Sequence, residues 1–310
     1  QAGERGPADT IRDEIIRSML LNPFNSLAQN PPNALGIILF ALIVGIALVL
    51  IGEPARPVGE FFESFNKVML VITLWLMELA PIGVGCIIAS LVATLGTDAL
   101  VSLGWYGATV IGGIAIHCCV LIALVSVIGR MNPVEFLKGI RDAWLVAFTT
   151  SSSAATLPVS IVCTTQKLRV SNKVARFTLP VGATVNMDGT ALYEGVAIIF
   201  LIQIFGGLPD VPIDMSFASL FLIFITAVLA SIGAAAVPSA GLVTMALVAS
   251  AVGLPLYYIV IIYAVDRLLD MFRTSTNVMG DIAGAVIVNR LQAGGLGSED
   301  GDAPLSRESS

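Results

Sequence analysis

The chain has 310 residues, of which 56% are hydrophobic and only 12% are charged, and its mean hydropathy is +0.90. Soluble domains carry roughly a quarter charged residues, so this composition argues against a water-soluble fold. The net charge is −6, and no basic cluster or stacking motif indicates nucleic-acid binding. The cysteines lie in or beside apolar segments without C-x-x-C spacing, which favours packing residues over a disulfide framework or a metal site. They are Cys86, Cys118, Cys119 and Cys163.

Residues 1–33 precede the first long apolar stretch. They begin with Gln1, contain no signal-peptide pattern, and carry apolar residues at helical spacing from Ile11 onward. We predict an extracellular or interfacial helix here and expect the chain to be a fragment of a longer protein.

Several apolar stretches approach the roughly 20 residues that a helix needs to cross a bilayer. They are too long and too unalternating for barrel strands, and lipid tolerates no unpaired backbone groups. We therefore predict an all-α, multi-pass integral protein of the plasma or inner membrane. The stretches are 34–51, 68–92, 106–128, 217–232 and 254–265.

The basic residues predict the topology, because Lys and Arg concentrate in cytoplasmic loops. Arg56 places the end of the first span inside, and Thr97-Asp98 lies in a loop without basic residues, hence outside. The basic groups at 130–141 and 167–176 are then both inside. The interval of about 25 residues between them is too short for two crossings, since a helix rises about 1.5 Å per residue. It is predicted to be a re-entrant hairpin with its tip at 149–158.

A second hairpin is predicted farther along the chain. Residues 177–205 cross outward to a loop with Asp210 and Asp214, and the small residues at 231–241 form the second tip. The last segment, 254–290, runs inward. Two tips of small residues that enter from opposite sides indicate an inverted-repeat transporter with a midplane site.

A polar stripe marks the last span. Its members are spaced 4, 3, 4 and 4 residues apart, so they fall within an arc of roughly 80° on one helix. Such a stripe must face the protein interior and suits a zwitterionic amino acid, since a carboxylate binds the ammonium group and a guanidinium binds a second carboxylate. A structural salt-bridge ladder is the alternative. The stripe consists of Asp266, Asp270, Arg273, Asn277 and Asp281.

Residues 182–190 (GATVNMDGT) combine Asn, Asp and Gly within an apolar span. This pattern predicts an interrupted helix whose free carbonyls, with a carboxylate such as Asp188, can bind hard cations. A kink without a ligand is the alternative.

Three segments together resemble the glutamate/aspartate transporter family of dicarboxylate/amino acid:cation symporters. They are the tip SSSAATLP at 151–158, the NMDGT run at 186–190, and DMFRT at 270–274 followed by Asn277 and Asp281. The resemblance covers nearly all of residues 34–293. It implies a bacterial-type member with an elevator fold, in which a mobile transport domain moves against a static scaffold within a homotrimer.

The resemblance divides the chain as follows. Residues 34–97 are scaffold helices and 98–293 are the transport domain, with a cytoplasmic tail at 294–310. Within the transport domain, hairpin 1 is expected at 134–168, the broken span at 172–206, hairpin 2 at 215–252 and the last span at 254–293.

The resemblance also implies a substrate site. Asp270 is expected to bind the amino group and Arg273 the side-chain carboxylate, with Thr190 beside it. Thr274 and Asn277 hold the main-chain groups, and the two tips close the site. The tip residues implied are Ser151, Ser152 and Ser153 in the first, and Val237 and Gly241 in the second.

Three sodium sites are implied in the same way. Carbonyls of Gly182, Asn186 and Asn277 with the carboxylate of Asp281 form the first. Thr184 and Met187 with Ser231, Ile232 and Ala234 form the second, and Asn186 with Asp188 forms the third.

The chain departs from the family pattern in three respects. It begins where the fourth of eight spans is expected, so the three spans before it, and the hydroxyl ligands of the third cation site, are missing. A second arginine is replaced by Ser151 and Met271, and Arg267 is expected either to compensate for it or to pair with Asp266 or another acid. Ala234–Ala236 in the second tip replaces more flexible residues, which is expected to stiffen the gate.

Glu194 bears on the coupling ion. Burial disfavours the charged form of a carboxylate, so Glu194 is a candidate proton carrier. His117, in an apolar span, is interpreted as a hydrogen-bonded structural residue rather than a proton relay.

We therefore predict a sodium-driven symporter of glutamate or aspartate that uses lipid, sodium and protons as its partners, with proton coupling through Glu194. A proton-coupled, sodium-independent symporter and an ion channel on the same architecture remain alternatives. An intramembrane hydrolase is disfavoured because the tip serines have no nearby base. No enzyme activity and no cofactor are expected.

Overall fold

A computed structural model describes residues 22–28, 34–79, 82–83, 85–86, 89–90, 93, 98–209, 211, 213–232, 234, 236 and 238–295. Within these residues every extended regular element is a helix. The all-α prediction is therefore confirmed for this part of the chain. Most of the predicted N-terminal segment, the 294–310 tail beyond Gly295, Thr97, Asp210 and Val237 lie outside the described residues.

In chain order, the helices whose bounds are described are α1 (Pro23–Ala28), α2 (Ala34–Ile51), α3 (Arg56–Glu78), α4 (Asp98–Val127), α5 (Pro133–Thr150), α6 (Ser153–Val162), α7 (Asn172–Val185), α8 (Asp188–Phe205), α9 (Phe217–Ile232), α10 (Ala240–Ala251) and α11 (Tyr263–Gly295).

Among the described residues, two helical stretches are long and apolar enough to cross a bilayer, Val101–Val127 and Asn172–Phe205, the second of which includes the break between α7 and α8. Large apolar side chains are exposed on several helices, for example Leu50 on α2 and Ile116 on α4. Soluble monomers rarely expose apolar surface on this scale, so this surface fits a lipid environment. Cys86 and Cys119 are also exposed, Cys118 is partly buried and Cys163 is buried.

Helices α5 and α6 form one helical hairpin, and α9 and α10 form another. The first turns at Ser151, which adopts a left-handed conformation with φ of 50°, and Ser152 then caps α6 by accepting a hydrogen bond from the Ala155 amide. The two tips meet: the hydroxyl of Ser152 donates to the carbonyl of Ala236 at 2.8 Å. Their insertion into a membrane from opposite sides stays a prediction.

The predicted interruption of the helix at residues 182–190 is confirmed. Helix α7 ends at Val185 and α8 begins at Asp188, with Asn186 and Met187 in non-helical conformations. The last segment is helical throughout most of its length, in two conformations. Residues Leu256–Ile262 of the apolar stretch 254–265 form a tight 3₁₀ turn, and α11 begins only at Tyr263. Hydropathy alone does not distinguish a 3₁₀ from an α conformation.

Two apolar clusters build the core, and α11 belongs to both. One joins α11 to α4, α8, α9 and α10; the other joins it to α4, α5 and α7. A helix packed on both sides presents little surface to the outside. The stripe on α11 is therefore held at the centre of the described fold.

Candidate functional site

The polar stripe of α11 is buried, as the sequence predicts. Its five side chains are between 1% and 6% exposed. Burying a charge is costly unless it is paired or hydrogen-bonded, so the partners of each member define the site.

Asp270 and Arg273 form an ion pair in which Nη2 lies 2.5 Å from Oδ1. The same carboxylate accepts a hydrogen bond from the Thr274 hydroxyl at 3.0 Å and one from the Ser239 amide at 2.7 Å. The salt-bridge alternative is thus present, but it does not extend along the stripe, because Asn277 and Asp281 bond to other helices. A ligand that binds between Asp270 and Arg273 must replace their ion pair with contacts to its own charged groups.

The Arg273 guanidinium is only partly satisfied. Its Cζ lies 4.8 Å from the centroid of the Tyr193 ring, a cation–π distance. Its Nη1 is buried and has no hydrogen-bond partner among the described residues. Gly241 in the second tip is so close that a β-carbon there would overlap Nη1. A donor is therefore free for an anionic acceptor at this point.

A small cavity of about 10 Å³, room for about one water molecule, lies between the two tips, the break between α7 and α8, and the stripe. Of the predicted substrate residues, Ser152 is turned toward the opposite tip and Val237 is outside the described residues. The predicted residues that line the cavity are Ser151, Ser153, Met187, Thr190, Gly241, Asp270, Arg273, Thr274 and Asn277.

Asn277 connects the cavity to the helix break. Its Nδ2 donates to the Thr190 hydroxyl at 3.1 Å, and its Oδ1 accepts from the Gly189 amide at 2.8 Å. Gly189 permits this approach, since a β-carbon there would lie 2.9 Å from Oδ1 of Asn277. The side chain thus ties the polar stripe to the start of α8.

The residues predicted for the first cation site are neighbours. Asn186 donates to Asp281 Oδ1 at 3.1 Å, and a β-carbon on Gly182 would lie 2.6 Å from the same oxygen. A carboxylate beside the frayed end of α7 is an arrangement of oxygen ligands that suits a hard cation.

The second predicted cation group is less clearly assembled. Ser231, Ile232 and Ala234 lie at the end of α9, and Thr184 lies in the last turn of α7, two helices that touch. The Met187 carbonyl already accepts hydrogen bonds from the Thr190 and Ala191 amides.

The third predicted cation group includes a residue that the sequence did not place there. Nε2 of His117 lies 2.5 Å from Oδ2 of Asp188. The expectation of a hydrogen-bonded histidine is confirmed, but the partner could not be foreseen, because α4 and α8 are 71 positions apart at this contact. Asn186 and Asp188 both lie against Gly280, where a β-carbon would come within 3.0 Å of each.

Glu194 is fully buried between α8 and α10. One carboxylate oxygen accepts a hydrogen bond from the Thr244 hydroxyl, and Oε2 has no partner in the described part of the chain. Arg267 does not pair with Asp266: no salt bridge joins it to an acid among the described residues, and Asp266 accepts from the Tyr193 hydroxyl instead. Of the alternatives for Arg267, pairing with an acid is therefore not observed among the described residues, and compensation for the missing arginine stays a prediction.

Comparison with known proteins identifies relatives. Residues 2–291 match the family described as the sodium:dicarboxylate symporter family. The chain is 43% identical over 281 residues to an excitatory amino acid transporter of Caenorhabditis elegans, covering 90% of this chain and 55% of that protein. It is 44% identical over 271 residues to excitatory amino acid transporter 2 of Mus musculus, covering 86% and 46%. It is 44% identical over 261 residues to excitatory amino acid transporter 3 of the same species, covering 84% and 49%.

The chain thus spans about half the length of the curated relatives it matches. These relatives are animal proteins, so the bacterial-type assignment stays a prediction. The predicted family resemblance itself is confirmed.

Proposed function

The chain belongs to the sodium:dicarboxylate symporter family, a family of membrane transporters and not of enzymes, and on that premise we propose that it forms the substrate-binding part of a sodium-driven symporter for glutamate or aspartate. The observation that carries the proposal is the buried pair of Asp270 and Arg273 inside a cavity closed by two helical tips. Relatives named as excitatory amino acid transporters support the same substrate class.

The charges select the substrate. Asp270 supplies a carboxylate for an ammonium group, which disfavours a plain dicarboxylate. Arg273 has an unpaired buried donor that a substrate side-chain carboxylate would satisfy, which disfavours neutral amino acids. Thr274 and Asn277 add a hydroxyl and an amide group for the main-chain groups, and Thr190 adds a hydroxyl beside the side-chain carboxylate.

Sodium is proposed to bind beside this cavity at the sets named above, of which Asn186, Asp281 and Gly182 make the most compact. Asn277 touches both the cavity and the helix break, so substrate and cation can stabilise one another through it. Glu194 is proposed to carry a proton in the same cycle.

We place these elements in the plasma or inner membrane, with α5–α6 and α9–α10 as oppositely oriented re-entrant hairpins. Residues 34–97 then serve as scaffold and 98–293 as an elevator-type transport domain of a homotrimer. The exposed apolar surface and the meeting of the two tips support this arrangement.

Uptake of radiolabelled aspartate and glutamate by the full-length protein in proteoliposomes tests the function, with sodium, proton and potassium gradients set independently. We expect sodium-dependent uptake of both. Arg273→Cys should lower acidic substrate uptake by about tenfold or more, since it removes a charge-assisted contact worth about 1.5–3 kcal/mol. Arg290→Cys is the matched control, because Arg290 is exposed on the same helix. Uptake without cation dependence, or full acidic uptake by Arg273→Cys, would contradict the proposal.

A further inference from the structure

Asp266 is the member of the polar stripe to which no ligand has been assigned. Its side chain is 2% exposed, and its Oδ1 accepts a hydrogen bond of 2.8 Å from the hydroxyl of Tyr193 on α8. Asp266 does not line the cavity between the tips. Asp266 can therefore act on a bound substrate through a neighbouring side chain or through its charge, and the variants below separate the two.

Tyr193 is that neighbour. It is fully buried, and the face of its ring lies under the Arg273 guanidinium at 4.8 Å. Among the described residues, Arg273 itself holds one ion pair, to Asp270, and one of its nitrogens has no hydrogen-bond partner. The face of the Tyr193 ring therefore helps to set the orientation of the Arg273 guanidinium, and with it the direction of Nη1.

The ring is held at both ends. Its edge lies beside Tyr106, with the ring centroids 6.4 Å apart, and Tyr106 stacks on Phe200 at 4.8 Å. Its hydroxyl is held by Asp266. Removing the acceptor would leave a buried hydroxyl unpaired, and the ring would be expected to tilt toward another partner.

We propose that Asp266 is a positioning residue for substrate specificity: by accepting the Tyr193 hydroxyl it fixes the ring that orients Arg273 toward an acidic side chain. The inference rests on the proposed function, because it assumes that Arg273 recognises a carboxylate. It assigns Asp266 neither to the substrate nor to a cation.

Transport kinetics of the full-length protein in proteoliposomes test the specificity role. Asp266→Leu, which removes the acceptor, and Tyr193→Phe, which removes only the donor, should each raise the KM for aspartate about tenfold. The KM for a neutral amino acid such as serine should change less than about twofold, since Arg273 contributes little to its binding. The double variant should be no worse than the poorer single variant.

The conservative variant separates hydrogen bonding from charge. Asp266→Asn keeps an acceptor oxygen and should recover most of the lost aspartate affinity. Asp142→Asn is the matched control for the loss of a charge, because Asp142 lies outside the cluster and is exposed. Equal changes for aspartate and serine, additive single effects, or an Asn variant as poor as Leu would overturn the proposal.

A second measurement distinguishes failure of this proposal from failure of the proposed function. Thermal unfolding of the purified single and double variants of Tyr193 and Asp266 reports the contact without any substrate. We expect the two substitutions to be coupled, so that the double variant loses less than the sum of the single losses. Coupled unfolding with no acidic uptake by the unmutated protein would refute the function, whereas independent unfolding effects would refute the contact itself.

Discussion

A single glycine controls how closely the second tip approaches the guanidinium of Arg273. Gly241 lines the cavity from the second tip. A β-carbon there would overlap Nη1 of Arg273 and lie 2.8 Å from its Cζ. Gly241→Ala should therefore displace the guanidinium from its ion pair and raise the KM for aspartate by about tenfold, as the loss of a charged hydrogen bond does. Gly284→Ala on α11 is the control, because nothing lies within 4 Å of its β-carbon position. Equal KM values for both variants would contradict the close packing.

The residues that line the cavity could largely be predicted, while those that support them could not. The sequence identifies Asp270, Arg273 and Asn277 as candidates because charged and amide side chains are rare in apolar helices. Tyr193 contacts Asp266, which lies 73 residues later in the sequence. His117 contacts Asp188, which lies 71 residues later. An aromatic or a lone histidine in an apolar run has no sequence signal that separates such a contact from ordinary packing.

At the scale of elements, the two hairpins are joined through the cap of α6. The hydroxyl of Ser152 caps the Ala155 amide and also donates to the Ala236 carbonyl in the other tip. Ser152→Ala should cost about 1 kcal/mol of stability for the cap and also speed substrate release, since the tips lose a direct bond. Ser171→Ala is the matched control, because Ser171 caps α7 at the Val174 amide but does not touch the second hairpin.

Thermal unfolding and washout of radiolabelled aspartate from the purified protein would measure the two effects. Both serine variants should lower the melting temperature, and only Ser152→Ala should shorten substrate retention. A shorter retention time in Ser171→Ala as well would show that general destabilisation, rather than the tip contact, governs release.

The element boundaries were predictable where chemistry interrupts a helix and unpredictable where it does not. Asn186 and the following Asp-Gly stop α7 as expected, because such residues favour turns over helix interiors. The 3₁₀-helix at Leu256–Ile262 carries no such mark, because the hydropathy of the segment is compatible with either conformation and packing decides between them. The start of α3 at Arg56 rather than at residue 68 is marked by Pro57 in its first turn, a signal that hydropathy does not report.

At the scale of the molecule, α11 holds the ligand groups and both apolar clusters together. The stripe, the tip contacts and the break between α7 and α8 all meet along one side of this helix. A substrate charge that moves Arg273 therefore acts on groups that are one or two turns from Asn277 and Asp281. Coupling between substrate and cation can follow from this proximity without a conformational signal over a long distance.

Glu194 tests whether a proton belongs to that coupling. Its unpartnered Oε2 is fully buried, and burial favours the neutral form of a carboxylate, which glutamine imitates. In Glu194→Gln we expect aspartate uptake to remain sodium-dependent but to lose its acceleration by an imposed proton gradient. Glu135→Gln is the control, since Glu135 is exposed in the first turn of α5. If the Glu194→Gln protein still responds to the proton gradient as the unmutated protein does, the proton travels elsewhere and Glu194 is a structural partner of Thr244.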